Sequence, residues 1–299
     1  MFKLLTNRLR YGCLALRHSG TLIKQKAGLE VYEASTHVYH IKLNRPHCRN
    51  TFTLELWKNM ELIFGELSDD PNCRSIVISG IGKSFCAGID LQQGMRDLTE
   101  VLMNDKVDIG RKGRALRNII TICQDGFSAI EKCPKPVIAA IHSHCLGAGI
   151  DLVTACDIRY ASSDSIFSIK EVDIGMAADV GTLNRIQKIV GNDSWSRELA
   201  FTARDVGAEE ALKFGLISRI FDTQESVVQG ALALAERIAK KSPVGVQGSK
   251  VVLNYARDHT VEDSLNFVKT WNMSQLQSMD LRNSAMAVLN KQKLEYENL

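Results

Sequence analysis

Three acids stand among apolar neighbours in one stretch of the chain. Asp151 follows Gly147-Ala148-Gly149-Ile150, while Glu171 and Asp179 flank the apolar, glycine-containing segment Val172-Asp173-Ile174-Gly175-Met176-Ala177-Ala178. A carboxyl in apolar surroundings loses the hydration of its charged form. Its pKa then climbs toward neutrality and it can trade protons as a general acid or base. Two further segments offer the complement to such acids. Phe85-Cys86-Ala87-Gly88-Ile89-Asp90 and Cys145-Leu146-Gly147-Ala148-Gly149-Ile150-Asp151 each follow a short apolar run and contain small residues. Small residues let a backbone approach a ligand, and free N–H groups at a helix start hold a negative oxygen. One such N–H from each loop would make an oxyanion hole. The same residue types also fit plainer roles: each loop a tight turn, each acid a surface group, and Asp179 the cap of a helix beginning near Gly181-Thr182.

The elements that must hold these residues alternate in type. Tyr39, Ile41 and Leu43 alternate with polar or basic positions, which predicts a strand ending at Asn44-Arg45-Pro46. Leu56, Met60, Ile63, Phe64 and Leu67 keep helical spacing, with Thr51 or Thr53 as the N-cap. The runs SIVISG (75–80) and VIAAI (137–141) read as buried strands. Between them Leu116, Ile119, Ile120, Cys123, Phe127 and Ile130 form a helical stripe that stops before Pro134 and Pro136. Residues 150–156 read as helix and 157–161 as strand. The alternation continues to about residue 220, which predicts an α/β domain with parallel crossovers. From Glu225 onward the strand pattern stops, and helical windows at 225–240, 245–256 and 261–295 follow.

Several apparent motifs fail on inspection. Gly80-Ile81-Gly82-Lys83-Ser84 lacks the glycine a phosphate-binding P-loop needs at position 77, where Val77 stands. Gly147-Ala148-Gly149 lacks the next glycine of a dinucleotide fingerprint, which is Leu152. His142, His144 and Cys145 have no partner cluster elsewhere and read as packing or polar residues at a strand end, so no metal ligand is assigned. No G-x-S-x-G elbow of a serine hydrolase occurs.

Composition bounds the rest. With 45% hydrophobic and 24% charged residues and a mean hydropathy of −0.08, the chain reads as a soluble globular protein with a sizeable core. No run approaches the length of a membrane-spanning helix, and a formal charge of +3 is too small to argue for nucleic acid. That charge is unevenly placed: Lys3, Arg8, Arg10, Arg17, Lys24 and Lys26 precede the first acid, Glu30. An amphipathic, Arg-bearing, acid-free N-terminus is the composition of a mitochondrial transit peptide, expected over residues 1–27. The C-terminal Glu297-Asn298-Leu299 is not the S-K-L address and weighs against a peroxisomal destination. Eight cysteines without a C-x-x-C pair read as reduced core thiols.

The strings LNRP (43–46), SFCAGIDL (84–91), KPVIAAI (135–141), GAGIDL (147–152), ACDIRYA (155–161), FSIKEVDIG (167–175) and FTAR (201–204), with A-x-x-x-G-L-I at 211–217, resemble the enoyl-CoA hydratase/isomerase (crotonase) superfamily over roughly residues 28–299. The resemblance implies an α/β fold built as a spiral of ββα units (28–224) with a helical C-terminal trimerisation region (225–299). It implies a homo-hexamer assembled as a dimer of trimers and an acyl-CoA thioester substrate, with no nucleic-acid partner and no stable membrane insertion. The matching positions make Ile89 and Ala148 the oxyanion hole and Ala87, Gly88, Ile89, Asp90, Leu91, Gln92 and Gly149 substrate-binding residues. One departure is Ala148, where relatives often carry a third glycine; its backbone N–H survives the change.

Within the superfamily, KEVDIGMAADVGTL (170–183) is similar to the branch that converts 3,5-dienoyl-CoA into 2,4-dienoyl-CoA in fatty-acid beta-oxidation. That branch carries Asp, Glu and Asp at the positions of Asp151, Glu171 and Asp179. Hydratases share Glu171 but usually have a second glutamate at 151 and glycine at 179. The resemblance implies that Asp179 takes the C2 proton and Glu171 serves C6, with Asp151 as their buried partner. It implies no metal or redox cofactor, CoA being part of the substrate, and a mitochondrial-matrix location. Two other readings stay open: a 2-enoyl-CoA hydratase in which Asp151 and Glu171 handle water, and a non-catalytic scaffold that binds acyl-CoA or RNA.

Overall fold

The computed structural model describes residues 20–299, Met95 without its side chain. Of the expected leader, the part up to Ser19, which contains Cys13, lies outside the described residues. The remainder is folded. Strand β1 (Thr21–Lys26) pairs antiparallel with β2 (Leu29–Ser35), which pairs antiparallel with β3 (Val38–Leu43). The expected boundary at 27/28 thus falls in the turn between two paired strands.

Helix α1 (Leu54–Asp69) follows, and Thr53 rather than Thr51 is its cap, accepting from the Leu56 N–H. The apolar positions read from its sequence are all buried. Strand β4 (Ser75–Gly80) lies parallel to β3. Helices α2 (Leu91–Leu102) and α3 (Ile109–Lys132) carry the chain across to β5 (Val137–Ile141), parallel to β4. Both helices are capped by acids, Asp90 and Asp108, which accept from the backbone N–H three residues on. Then come β6 (His144–Leu146), α4 (Ala148–Ala155), β7 (Ile158–Ser162) and β8 (Ile166–Ser168). They are followed by α5 (Thr182–Val190), α6 (Asp193–Thr202), β9 (Val206–Gly207), α7 (Ala208–Lys213) and β10 (Arg219–Phe221).

The described strands form a seven-stranded sheet in the order β1-β2-β3-β4-β5-β7-β10, parallel from β3 onward, and a three-stranded sheet in the order β6-β8-β9. Parallel strands with helices on both faces read as continuous apolar runs, which is why SIVISG and VIAAI matched their strands residue for residue. Within each run the side chains still alternate. Ile76, Ile78, Val137, Ala139 and Ile141 join the core under α1 and α3, whereas Val77, Ile138 and Ala140 face the other way.

The second face is closed by α8 (Gln224–Ala239), whose Val227, Ala231 and Ala235 pack on Val38, Val77 and Ile138. Helix α8, which follows the expected division at 224/225, belongs to the sheet's packing, and the outlying helices are α9 (Pro243–Asp258), α10 (Val261–Gln275) and α11 (Met279–Leu289). The window read as one helix over 261–295 is two, because Ser278 caps a new start at α11 and the last residues leave helix after Leu289. That tail returns to the core, where the Arg74 guanidinium donates to the Tyr296 carbonyl at 2.6 Å and to Asn298 Oδ1 at 2.8 Å. Among the described residues no helix is long and apolar enough to cross a membrane.

Candidate active site

Strands β4 and β5 are parallel neighbours, so the chain leaves both at the same edge of the sheet, where ligands of open α/β sheets sit. The two small-residue loops begin there and are stitched together. Cys86 and Cys145, both free thiols, pair through a parallel backbone β-bridge, the Cys86 N–H donating to the His144 carbonyl at 3.0 Å and the Leu146 N–H to the Cys86 carbonyl at 2.9 Å. On its far side the first loop pairs with the approach to α1. The Phe52 N–H donates to the Gly88 carbonyl, and the Asp90 N–H to the Phe52 carbonyl, both at 2.8 Å.

This ladder decides where the remaining donors point. A trans peptide directs its C=O and N–H oppositely, so with the Gly88 carbonyl turned to Phe52, the Ile89 N–H faces away from it. The Gly147 carbonyl likewise accepts from the Ile150 and Asp151 N–H groups inside α4, which turns the Ala148 N–H outward at the helix start. Gly88, Ile89, Gly147 and Ala148 all line one cleft with about 1030 Å³ of empty space, part of it open to solvent. Gly88 has φ +99° and Gly147 φ +49°, backbone that side chains resist. A Cβ on Gly147 would stand 3.2 Å from Glu171 Oε1 and 3.6 Å from the Gly88 Cα, so the bare glycine leaves room for both the carboxyl and the other loop.

All three acids line this cleft or its floor. Asp151, in α4, is 1% exposed, and its Oδ1 accepts from the Thr182 N–H at 2.6 Å and from the Thr182 hydroxyl at 2.7 Å. The α5 start is thus held by Asp151 and not by Asp179, because Gly181 is the N-cap and offers no side chain. Burial pushes the Asp151 carboxyl up to about 6 against the pull of those two hydrogen bonds. Glu171 opens a short 3-10 turn, and its Oε2 is buried with no hydrogen-bond partner among the described residues. Burial, reinforced by the charge of Asp151, raises it to about 7. Asp179 is half-buried and also raised by burial; its own carbonyl is held by the Gln124 side chain at 2.6 Å.

The other expected site residues divide. Ala87 and Leu91 line the cleft with Gly88, Ile89 and Ala148. Asp90, Gln92 and Gly149 are not among its lining residues. Asp90 caps α2 and pairs with Arg45 at 3.0 Å, Gln92 is exposed, and a Cβ on Gly149 would press on Cys86 and Cys145. His142 and His144 make polar contacts, to the Gly82 carbonyl and the Ser143 hydroxyl, each at 3.0 Å.

The apolar wall was not read as part of a site. It is made by Phe52 just before α1, Leu54 and Trp57 at the start of α1, Leu98 on α2, and Ile119, Ile120 and Cys123 on α3. The signal lay in the α3 stripe: its later members Phe127 and Ile130 are fully buried, whereas Ile119 and Ile120 are only half-buried and face the cleft.

A cleft that joins outward-turned backbone N–H groups to carboxyls tuned toward neutrality is equipped to move protons beside a carbonyl. The family described as enoyl-CoA hydratase/isomerase matches residues 33–298, and the chain belongs to that family. It is 51% identical over 267 residues to the human "Delta(3,5)-Delta(2,4)-dienoyl-CoA isomerase, mitochondrial", covering 89% of this chain and 80% of that protein. It is 41% identical over 273 residues to the peroxisomal protein of the same activity from Arabidopsis thaliana, covering 91% and 97%. The crystal structure of enoyl-CoA hydratase from Bacillus anthracis superposes with a TM-score of 0.80 at 25% identity, covering 90% of this chain and 99% of that one.

Proposed function

We propose that this chain converts 3,5-dienoyl-CoA into 2,4-dienoyl-CoA in beta-oxidation. The observation that carries the reading is the presence of Asp179 and Glu171, two separate carboxyls raised by burial, in the same apolar cleft as the Ile89 and Ala148 N–H groups. Hydration has no use for Asp179.

A C2 proton passes to the Asp179 carboxylate. The electron pair it leaves spreads into the thioester, whose oxygen becomes negative and is held by the Ile89 and Ala148 N–H groups, each worth about 3–4 kcal/mol in such a hole. As the carbonyl re-forms, double bonds appear at C2–C3 and C4–C5, and C6 takes a proton from Glu171. The position of Glu171 supports its part in this division. Glu171, raised to about 7 by burial and by the charge of Asp151, is suited to hold a proton near neutral pH, and Asp179 is the other carboxyl that burial raises in the cleft. Asp151 does not touch the reacting carbons in this scheme. It is a positioning residue that fixes the start of α5 and, by its charge, raises Glu171. Atoms and electrons balance without a metal or redox cofactor, because CoA belongs to the substrate and the net change is a proton shift.

The reading includes a mitochondrial-matrix location, supported by the basic, acid-free N-terminus and the human relative's name, and a homo-hexamer in which α10 and α11 join subunits. A full-length fusion that stays cytosolic and matches one lacking residues 1–27 would contradict the location. For the activity, the purified protein is given 3,5-octadienoyl-CoA and the absorbance of the 2,4-dienoyl product is followed. Growth of that absorbance is expected; hydration of 2-enoyl-CoA with no isomerisation would overturn the reading.

A further inference from the structure

Behind the acids stands Arg185, on the first turn of α5, with a side chain only 11% exposed. Its Nε and Nη2 donate to Glu131 Oε2 on α3 at 3.0 and 2.9 Å, and Nη2 also reaches the Ser128 hydroxyl at 3.2 Å. The remaining nitrogen, Nη1, lies over Gly181, where a Cβ would overlap it. The next N–H, that of Thr182, donates to Asp151 Oδ1. Guanidinium and buried carboxyl thus rest against one peptide unit, and the positive charge draws Asp151 toward its ionised form. Glu131 does not cancel that charge. It also pairs with Arg257 on α9, Arg257 pairs with Asp258, and Asp258 with Lys188. The row alternates in sign and both begins and ends on a cation, which leaves one positive charge in excess. The other groups that act on Asp151 supply none: Glu171 and Asp179 are acids, and Cys86, Cys123 and Cys145 are thiols that burial keeps neutral. Lys170, beside Glu171, turns its ammonium to the Ala203 carbonyl at 2.8 Å and to Asp205 at 3.0 Å.

We propose that Arg185 is a positioning residue for the reaction: it holds Asp151 ionised and thereby places on Glu171 the proton for which these two carboxyls compete. The inference rests on the isomerase reading and adds to it the residue that decides where the proton lies. Two buried carboxyls that repel each other's charge titrate as a pair, and the one that ionises first leaves the other as the acid. Asp151 ionises first because Arg185 stabilises its anion, and the charge of Asp151 then keeps the proton on Glu171. With Arg185 neutralised the proton moves toward Asp151, and Glu171 ionises at lower pH. A cation acting on Glu171 directly would do the opposite, since its removal would raise Glu171. The sign of the change therefore tells the two apart.

The test is a pH titration of the Glu171 carboxyl by carbon-13 NMR on the full chain labelled at its glutamates, the signal being assigned by its loss in Glu171→Gln. Wild-type Glu171 should titrate at about 7. In Arg185→Gln the midpoint should fall by about 1, and Arg185→Lys, which keeps the charge, should restore it. The rates should follow: at about pH 8 Arg185→Gln loses about tenfold in kcat with KM within about twofold of wild type, and the loss shrinks toward about pH 5. Glu131→Gln breaks the ion pair and keeps the cation, so it should melt lower and leave the midpoint in place, which a merely supporting role for Arg185 does not foresee. The double variant Arg185→Gln/Glu131→Gln leaves no acid facing the lost cation and should show the same lowered midpoint, which covers early melting of the single one. A midpoint that rises or stays in both neutral variants, or one that Arg185→Lys does not restore, would overturn the proposal. If the wild type turned over no 3,5-dienoyl-CoA, the isomerase reading itself would fail, and the Glu171 midpoint would still decide whether Arg185 places the proton: a lowered one supports it and an unmoved one refutes it.

Discussion

Glu171 holds a buried carboxyl oxygen that no group among the described residues satisfies, beside a glycine whose missing side chain makes the space for it. Such a group costs stability when charged and is useful because of that cost. Its folded-state pKa, about 7, lies above the ordinary 4.5, so the folded protein holds this proton more tightly than the unfolded chain does. The stability it contributes is full below about pH 4 and is lost as pH rises through about 7. Glu171→Gln should therefore melt several degrees above wild type at pH 8 and at the same temperature near pH 4, by calorimetry. A variant that melts lower at pH 8 would contradict this. Activity follows the same proton. As Glu171 ionises, the C6 acid is lost, so kcat/KM should fall above about pH 7. Asp151→Asn removes a negative charge that raises Glu171, and the alkaline limb of the profile should move to lower pH; an unmoved limb would show that Asp151 serves only to hold Thr182.

At the scale of elements, the site depends on turns and helix starts. Gly147 begins α4 with φ +49° and ψ −116°, and any side chain there meets both that strain and Glu171 Oε1. Gly147→Ala should cost about 1–3 kcal/mol in strain and lower turnover at least tenfold, read from urea unfolding and steady-state rates on the same preparation. Thr53→Ala removes the α1 cap and should cost about 1 kcal/mol, a loss of about 2–4 °C in melting temperature. The elements legible in the sequence were those whose pattern is local: SIVISG and VIAAI, covered on both faces, and the α1 stripe behind its threonine. Asp151 was legible as an acid in a helix start, but its partner Thr182 lies 31 residues away, and no spacing rule connects them. Helix α2 was not read from the sequence, although Leu91, Met95, Leu98 and Leu102 keep helical spacing there.

For the whole molecule, the outlying helices carry an unresolved hydrophobic debt to water. Leu265, Met273, Leu276, Met279, Met286, Val288 and Leu289 on and between α10 and α11 are all exposed, more apolar surface than a lone subunit normally presents. Ending the chain at residue 258 should give monomers or aggregates in place of a defined oligomer; sedimentation of a fully active hexameric truncation would refute this. The sequence reading foresaw helices here but took α8 with them, since its pattern does not tell which sheet face is bare. The central claim concerns the relay of protons between two carboxyls, and the most direct measurement follows 3,5-octadienoyl-CoA in deuterated water with each acid replaced in turn. Asp179→Asn should lose turnover by about 10²–10⁴-fold together with deuterium uptake at C2, whereas Glu171→Gln should still exchange C2 while forming little product. Unaltered isomerisation by Asp179→Asn would contradict the account.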